Sequence, residues 1–375
     1  MLFRLWDQPA PTQSVFRSNG QVVVSSHALA REVLTDTERF SAANALDAVE
    51  ALPARVLRVL TRHRFRLPPT MANNDTPTHP RMRELFGEVF APQRVSSLEQ
   101  QVEEWTNQTV DDLRTSLDCD GVADLDALVS AEIPLRALVR LLELPAESTA
   151  VVKEFSRSAL EMFWGRPDLD RQLELAEIIG PHHAELRHYV RQASGPVGSV
   201  RDEIGEDEAT GAVFFLLVAG QETTAQFVTL LLHYLVEHPR ALENGDGAAV
   251  VEEGLRLFPS IVSWRRRVRS DTTIGSEPVK AGESVLVWLA EAGRDAGVAE
   301  CPREFVPHQR GSRRHLAFGA GKHRCLGSQL TRLEARIIVD RLREVIPTLR
   351  TVSAPRSDDN MSFRMPGPYM VRRVS

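Results

Sequence analysis

The stretch Phe318-Gly319-Ala320-Gly321-Lys322-His323-Arg324-Cys325-Leu326-Gly327 decides how the rest of this chain is read. Behind it, Leu326, Leu330, Leu333 and Ile337 recur at spacings of four, three and four, which is one apolar face of a helix. The spacing predicts a helix that begins just after Cys325. Unpaired N–H groups and the positive end of the helix dipole favour a thiolate over a thiol at such a place. Gly319 and Gly321 permit positive φ and a close approach of backbone to a flat ligand. Phe318 can wall the sulfur off from water, while His323 and Arg324 offer donors to anionic groups. A buried free cysteine beside a glycine-rich turn is the ordinary reading of a cysteine taken alone. Here several constraints meet in one short string, and together they favour a metal ligand.

That string resembles the haem-binding signature of the cytochrome P-450 family, F-G-x-G-x-H-x-C-x-G, with every specified position filled up to Gly327. The resemblance implies a mainly α fold with a small β region. Haem b would lie between a long central helix and the helix after Cys325, with the Cys325 thiolate on its iron. An axial thiolate pushes electron density onto iron and favours O–O cleavage, which is oxygen activation rather than oxygen carriage.

Length and composition permit this. A chain of 375 residues could hold about two or three average domains, or one large helical domain around a cofactor. The richest Gly and polar stretches, Ser194–Ser199 and Asn244–Gly247, are short and lie between helical patterns, so residues 1–375 read as a single domain. The start, Met1 to Pro11, lacks a signal peptide's basic head and apolar core, and no apolar run approaches the ~18 residues of a membrane span. The expectation is a soluble cytoplasmic protein with no membrane partner. Cys119, Cys301 and Cys325 form no C-x-x-C pair and no disulfide framework. Net charge is −6, which argues against nucleic acid as a partner, but Cys301–Arg350 alone carries +7 and leaves −13 to the remainder. Arg310, Arg313, Arg314, Lys322, Arg324, Arg332 and Arg336 surround the cysteine loop in sequence. A basic patch there would steer a small acidic electron carrier.

Other motifs follow in order. Gln21–Ser25 reads as a strand, and Ser26 caps a helix through Leu34. Asn74 to Thr78 makes a turn from which a helix runs to Phe90, with His79 and Arg83 four apart on one face, a pair suited to an anion. By the resemblance, D-x-P-x-H-x-x-x-R enters a helix that binds a haem propionate. Helices are expected over Val95–Leu113 and Val151–Trp164, followed by a polar segment with His182, His183 and His188, whose spacing fits no compact metal site. The longest pattern, Asp207 to about His238, would span ~45 Å. Its apolar middle is interrupted by Ala219-Gly220-Gln221-Glu222-Thr223-Thr224, groups that are costly to bury without purpose. This string resembles the family's A-G-x-E-T-T, where the helix loosens over the haem. The resemblance implies that Glu222 and Thr223 form an acid–alcohol pair relaying protons to bound dioxygen, a sound role for a hydroxyl backed by a carboxylate.

On the next helix, Glu253 and Arg256 share a face and match the family's E-x-x-R. The resemblance pairs them with Arg310 in a buried structural network. It also selects Arg266, five residues before Asp271, as a propionate ligand, although Arg265 and Arg267 would replace it after a one-residue slip. Two departures stand out. Relatives usually have a further helix before the first strand, and N-R-D reads Gly293-Arg294-Asp295 here.

The reading that results is a bacterial-type haem-thiolate monooxygenase. It would take electrons from NAD(P)H through ferredoxin and ferredoxin reductase, and oxidise a small apolar molecule such as a natural-product intermediate. An apolar cavity is expected, lined by Phe214, Leu217, Val218, Ile261 and Val262. A non-catalytic haem-binding sensor or recruitment protein is the alternative from another class, and a peroxide-driven or radical-coupling enzyme is the alternative within catalysis. An intact Glu222–Thr223 pair speaks against both.

Overall fold

Fifty-three per cent of the chain is helical, and one helix sets the frame. Glu206–Glu237 is 32 residues long, ~48 Å at 1.5 Å per residue. Glu206, Asp207 and Glu208 in its first turn suit the positive end of its dipole. Beyond that turn its buried residues come from every side, as expected of a helix with no polar stripe. Helices Glu132–Leu141, Thr149–Trp164, Leu169–Gln192 and Gly195–Ile204 pack around it. The computed structural model describes residues 2–145 and 149–374. By length and apolarity the central helix could cross a bilayer, contrary to the sequence expectation, but 78% of its most apolar window is buried inside the protein.

The β structure is small. The main sheet runs in the order Val15–Ser18, Gln21–Val24, Ser284–Val287, Trp264–Val268, Phe40–Ser41. Gln21–Val24 lies parallel to Ser284–Val287, and the other pairings are antiparallel. Val22, Val24, Val285 and Val287 build a core under this sheet with Leu34, Phe40 and Val268. A second sheet of three strands joins Ala123–Asp124, Met370–Arg373 and Leu349–Ser353.

Helices expected from the sequence recur with small shifts: His27–Thr35, His79–Val89, Glu99–Cys119, Thr149–Trp164, Glu206–Glu237 and Gly247–Leu257. Others have no counterpart in the sequence reading, among them Ala54–Arg62, Glu132–Leu141, Leu169–Gln192, which holds the polar segment of histidines, and Gly195–Ile204, which begins inside the Gly-rich Ser194–Ser199. There Pro196 occupies the first turn, where its missing N–H is no loss. Of Asn244–Gly247, Asn244 to Asp246 form a loop that ends where the Asp246 carboxylate accepts from the Ala249 amide at 2.8 Å, capping the helix that Gly247 begins. Of the histidine group, His183 is a core residue: its Nε2 lies 3.0 Å from the Arg66 carbonyl and its ring 4.7 Å from that of Phe65.

Candidate active site

The cysteine loop is folded by its glycines. Gly319 and Gly321 have φ of 65° and 72°, in the region that L side chains avoid. A Cβ on Gly321 would also meet the Leu34 carbonyl oxygen and the Thr35 Cα at 3.1 Å. The turn brings the Cys325 amide to the Phe318 carbonyl at 2.9 Å. The helix follows at Ser328–Leu342, so Cys325 stands just ahead of its N-terminus. Cys325 is exposed through the cavity it lines and otherwise surrounded by protein. Burial pushes its thiol up, while the Gly327 amide, Arg83, Arg324 and Arg332 act the other way. Phe318 packs under the loop, with the Arg332 guanidinium 4.5 Å from its ring centre. Arg332 is anchored by Glu252 at 2.5 Å, and Glu252 also meets His315 Nε2 at 3.2 Å. Because His315 Nδ1 accepts from the Ala317 amide, its Nε2 carries the hydrogen and donates to Glu252. Burial opposes ionisation of Glu252, yet the bonds from His315 and Arg332 hold it down to about 2.

Behind this loop Glu253 and Arg256 are fully buried and form a two-bond pair, at 2.7 and 2.9 Å. Arg256 also donates to the carbonyls of Gly293, Pro302 and Glu304. Gly293 fits because a Cβ there would lie 2.5 Å from the Arg256 carbonyl oxygen, which accounts locally for glycine at this point. The third member is not Arg310, which is exposed. Gln309 fills that place, its Nε2 donating to Glu253 at 2.5 Å while the Val306 amide donates at 2.9 Å. His308 has a φ of 66°, and this turn sends Gln309 inward and Arg310 to solvent. A neutral amide leaves the buried pair without net charge, whereas a second arginine would add a cation to desolvate.

Between this loop and the central helix lies a cavity of about 1320 Å³, part of it open to solvent. Cys325 and Phe318 lie on one wall, and Ala219, Gly220 and Thr223 on another. Its edge is cationic. Arg266 is 1% exposed; one guanidinium nitrogen donates to the Arg265 carbonyl at 2.8 Å, and its Nε has no partner. Burial pulls its pKa down to about 10. Strand alternation sends Arg265 away, toward the Asp47 carbonyl, and leaves Arg267 exposed, so the register favours Arg266. Arg83 is half-buried on the same cavity, and burial lowers its pKa with Cys325 alone opposing. Neither Arg83 nor Arg266 forms an ion pair among the described residues. His323 Nδ1 bonds the Met71 carbonyl at 2.9 Å, its Nε2 has no hydrogen-bond partner, and burial brings it down to about 4. His79 does not line the cavity; its Nε2 is 3.2 Å from the same Met71 carbonyl, and its ring lies 4.5 Å from that of His323. Buried cations without anions are costly. A flat, apolar group with two carboxylates at one edge, held by a thiolate beneath, fits this cavity.

The central helix presents Thr223 to the cavity, with its Oγ1 donating to the Ala219 carbonyl at 2.6 Å. Glu222 points the other way: it is 2% exposed and accepts from Gln221 and Gln226 at 3.2 and 3.3 Å. The helix runs unbroken through these residues, so the expected loosening is limited to the Thr223 bond. Thr224, overlooked in the sequence, meets Thr331 on the cysteine helix at 2.9 Å. Of the expected pocket residues, Ile261 lines the cavity, while Phe214 and Val218 line a smaller one beside it. Leu217 and Val262 are core residues instead, Val262 packing with Leu286 and Trp288. Phe215, Leu216, Ala219 and Thr223 share the helix face that meets the cavity, and Leu217 falls outside it.

Over 291 residues the chain is 33% identical to 20-oxo-5-O-mycaminosyltylactone 23-monooxygenase of Streptomyces fradiae, covering 74% of this chain and 67% of that protein. The chain belongs to the cytochrome P450 family. Residues 248–362 match the family model Cytochrome P450. Vitamin D3 dihydroxylase of Streptomyces griseolus is 29% identical over 361 residues, 92% of this chain and 86% of that one. The solved structure of cytochrome P450 CREJ in complex with (4-ethylphenyl) dihydrogen phosphate superimposes with a TM-score of 0.91 at 27% identity, covering 97% of this chain and 94% of that chain. The P450 studied here is accordingly a monooxygenase that uses a cysteine-ligated haem, dioxygen, and electrons drawn from NAD(P)H through a redox partner to oxidise a small molecule.

Two expectations follow for the loop support. Arg256→Ala should lower unfolding free energy by ~3–5 kcal/mol, whereas Arg310→Ala should stay within ~0.5 kcal/mol of wild type, both measured by denaturant unfolding of the holoprotein. Because Glu252 is depressed in the fold, its contribution is complete above the usual carboxylate range and disappears as pH falls toward about 2. Between roughly pH 4.5 and 2 the wild type should therefore lose stability more steeply than Glu252→Gln, by on the order of a few kcal/mol.

Proposed function

We propose that residues 1–375 act as one catalytic domain in which Cys325 ligates the iron and Arg83, Arg266 and His323 hold the two carboxylates of the haem. His79 would serve by buttressing His323. The observation that carries this reading is the cavity itself, where a sulfur and a hydroxyl occupy facing walls and two arginines without ion pairs among the described residues, the half-buried Arg83 and the buried Arg266, occupy the edge. Bound there, haem supplies thiolate-ligated iron at which dioxygen can be reduced and cleaved. Phe318 keeps water from the sulfur, and the Gly327 amide holds negative charge on it. Thr223 holds a hydroxyl proton at the distal wall, borrowed by the Ala219 carbonyl until it is needed. Glu222 is the acid behind it. Burial raises its pKa, with Arg157 acting against that, which favours its protonated form over that of an exposed carboxyl.

The substrate is a small, mainly apolar molecule, consistent with walls built from Phe215, Leu216, Ile261, Trp264, Leu289 and Phe363. A natural-product scaffold of macrolide or sterol-like character agrees with the names of the two bacterial relatives. Electrons arrive from a ferredoxin and its reductase. Arg310, Arg313, Arg314 and Arg324 support this, being exposed with no ion pair among the described residues. Arg332 and Arg336 are taken up by Glu252 and Glu99 and do not belong to that surface.

Cys325→Ser should abolish the red-shifted absorption band of the reduced carbon monoxide complex; a retained band would place the ligand elsewhere. Arg313→Glu with Arg314→Glu should slow reduction by an acidic ferredoxin about tenfold or more at low salt and converge with wild type at high salt. Stopped-flow reduction at several ionic strengths checks this.

A further inference from the structure

A second, partly buried acid that the motif does not include, Asp126, packs against the face of the central helix turned away from the cavity. Glu222, Gln226 and Thr229 are spaced four and three apart and so share one face, with Thr229 ~10.5 Å along the axis from Glu222. At the far end the Thr229 hydroxyl donates to Asp126 Oδ1 at 2.7 Å. The other carboxylate oxygen lies against Gly367, where a Cβ would be 2.7 Å from Asp126 Oδ2 and where φ is 145°. The C-terminal segment thus accommodates this carboxylate only by having glycine there.

Asp126 is an odd choice for a structural post. Asparagine would accept the Thr229 bond without the desolvation of a charge, and Asp126 forms no ion pair among the described residues. The charged groups facing it are Arg157 and Lys153, from the helix Thr149–Trp164, and Asp124 on its own segment. Arg157 also lies 3.9 Å from Glu222, so one half-buried guanidinium serves two carboxyls that are both pushed up by burial. Acids that share one cation in a desolvated place tend to keep a proton. The ends differ in the useful sense, because Asp126 keeps some contact with solvent and Glu222 is buried. The side-chain oxygens of Gln226, between them along the helix, and of Gln221, beside Glu222, are buried with no protein donor, places where a water can donate and carry a proton.

We propose that Asp126 is the outer acid of a proton relay ending at Glu222, with Thr229 and Gln226 as positioning residues along it. The proposal rests on the reading of Glu222 as the acid behind Thr223. A protonated Asp126 carboxyl gives its proton to the Thr229 hydroxyl oxygen, which turns from its contact with Asp126 and releases its own proton toward the donors at the glutamine oxygens, and the proton released at the far end neutralises the Glu222 carboxylate. Solvent then reprotonates Asp126, so one proton enters for each delivered and no electrons move.

The test uses the haem-loaded protein, transferred into deuterium oxide and followed by infrared spectroscopy of the carboxylic acid carbonyl band. Glu222→Gln identifies the Glu222 band by its loss; if no band is lost, the reading of Glu222 itself fails. With the band assigned, Asp126→Asn should leave it in place but slow its isotope shift about tenfold. Asp126→Asn should also increase the solvent isotope effect on oxygen uptake driven by NADPH with a surrogate ferredoxin and reductase. Exchange within twofold of wild type would overturn the relay while leaving Glu222 as the inner acid. Should Asp126→Asn not yield folded holoprotein, Thr229→Val interrupts the same path and is held to the same two outcomes.

Discussion

A guanidinium held in the interior without an ion pair is the constraint on which this structure turns. Arg266 sits on an inner strand of the main sheet, 1% exposed and hydrogen-bonded only to a neighbouring carbonyl, with Asp75 acting from a distance. Burial alone would exclude it, since an isolated charge in such surroundings is strongly disfavoured. The strand register, the Asn44 side chain on its carbonyl at 3.2 Å and the sheet core beneath all hold it where a carboxylate of the haem would meet it. Arg83 reaches the same edge from a helix and His323 from the cysteine loop, so three separate segments meet at one cavity.

The two sides of the cavity are stabilised by opposite means. Behind the cysteine loop two acids are matched: Glu253 with Arg256, and Glu252 with Arg332 and His315. The Gln309 amide completes the first set without adding charge. A rigid, neutral scaffold of this kind keeps a loop of glycines in one shape. On the distal side acids outnumber cations, with Glu222 and Asp126 sharing Arg157. Mobility of protons is available there because no partner binds them firmly.

Much of this was legible in the sequence where chemistry demands a residue type at a fixed spacing. The cysteine loop, the Thr223 hydroxyl and the Glu253–Arg256 pair stand where the motifs placed them. Arg266 was selected by resemblance among three adjacent arginines, and only the strand register separates it from Arg265 and Arg267. Arg310 failed because a single left-handed residue, His308, shifts which side chain faces inward, and nothing in a linear pattern marks such a turn. Leu217 and Val262 failed because an apolar residue beside a cavity and one beside a neighbouring helix look alike in sequence; the period that would separate them is blurred in a helix buried on every side. His79 was assigned to a propionate by resemblance; its contacts here are the Met71 carbonyl and the ring of His323, a loop arrangement invisible to helix periodicity. Cys325 thus settles what chemistry is available, while the molecule on which it acts depends on side chains such as Phe215 and Trp264 that no motif marks.

Thermal unfolding of Arg266→Met, measured with and without haem, tests the central claim most directly. If Arg266 is buried to meet the carboxylate of the cofactor, the substitution removes an uncompensated charge from the haem-free protein and raises its Tm. The same substitution removes a partner from the haem-loaded protein and lowers its Tm. A change of the same sign in both states would mean that Arg266 is held for the fold alone, and would contradict the account.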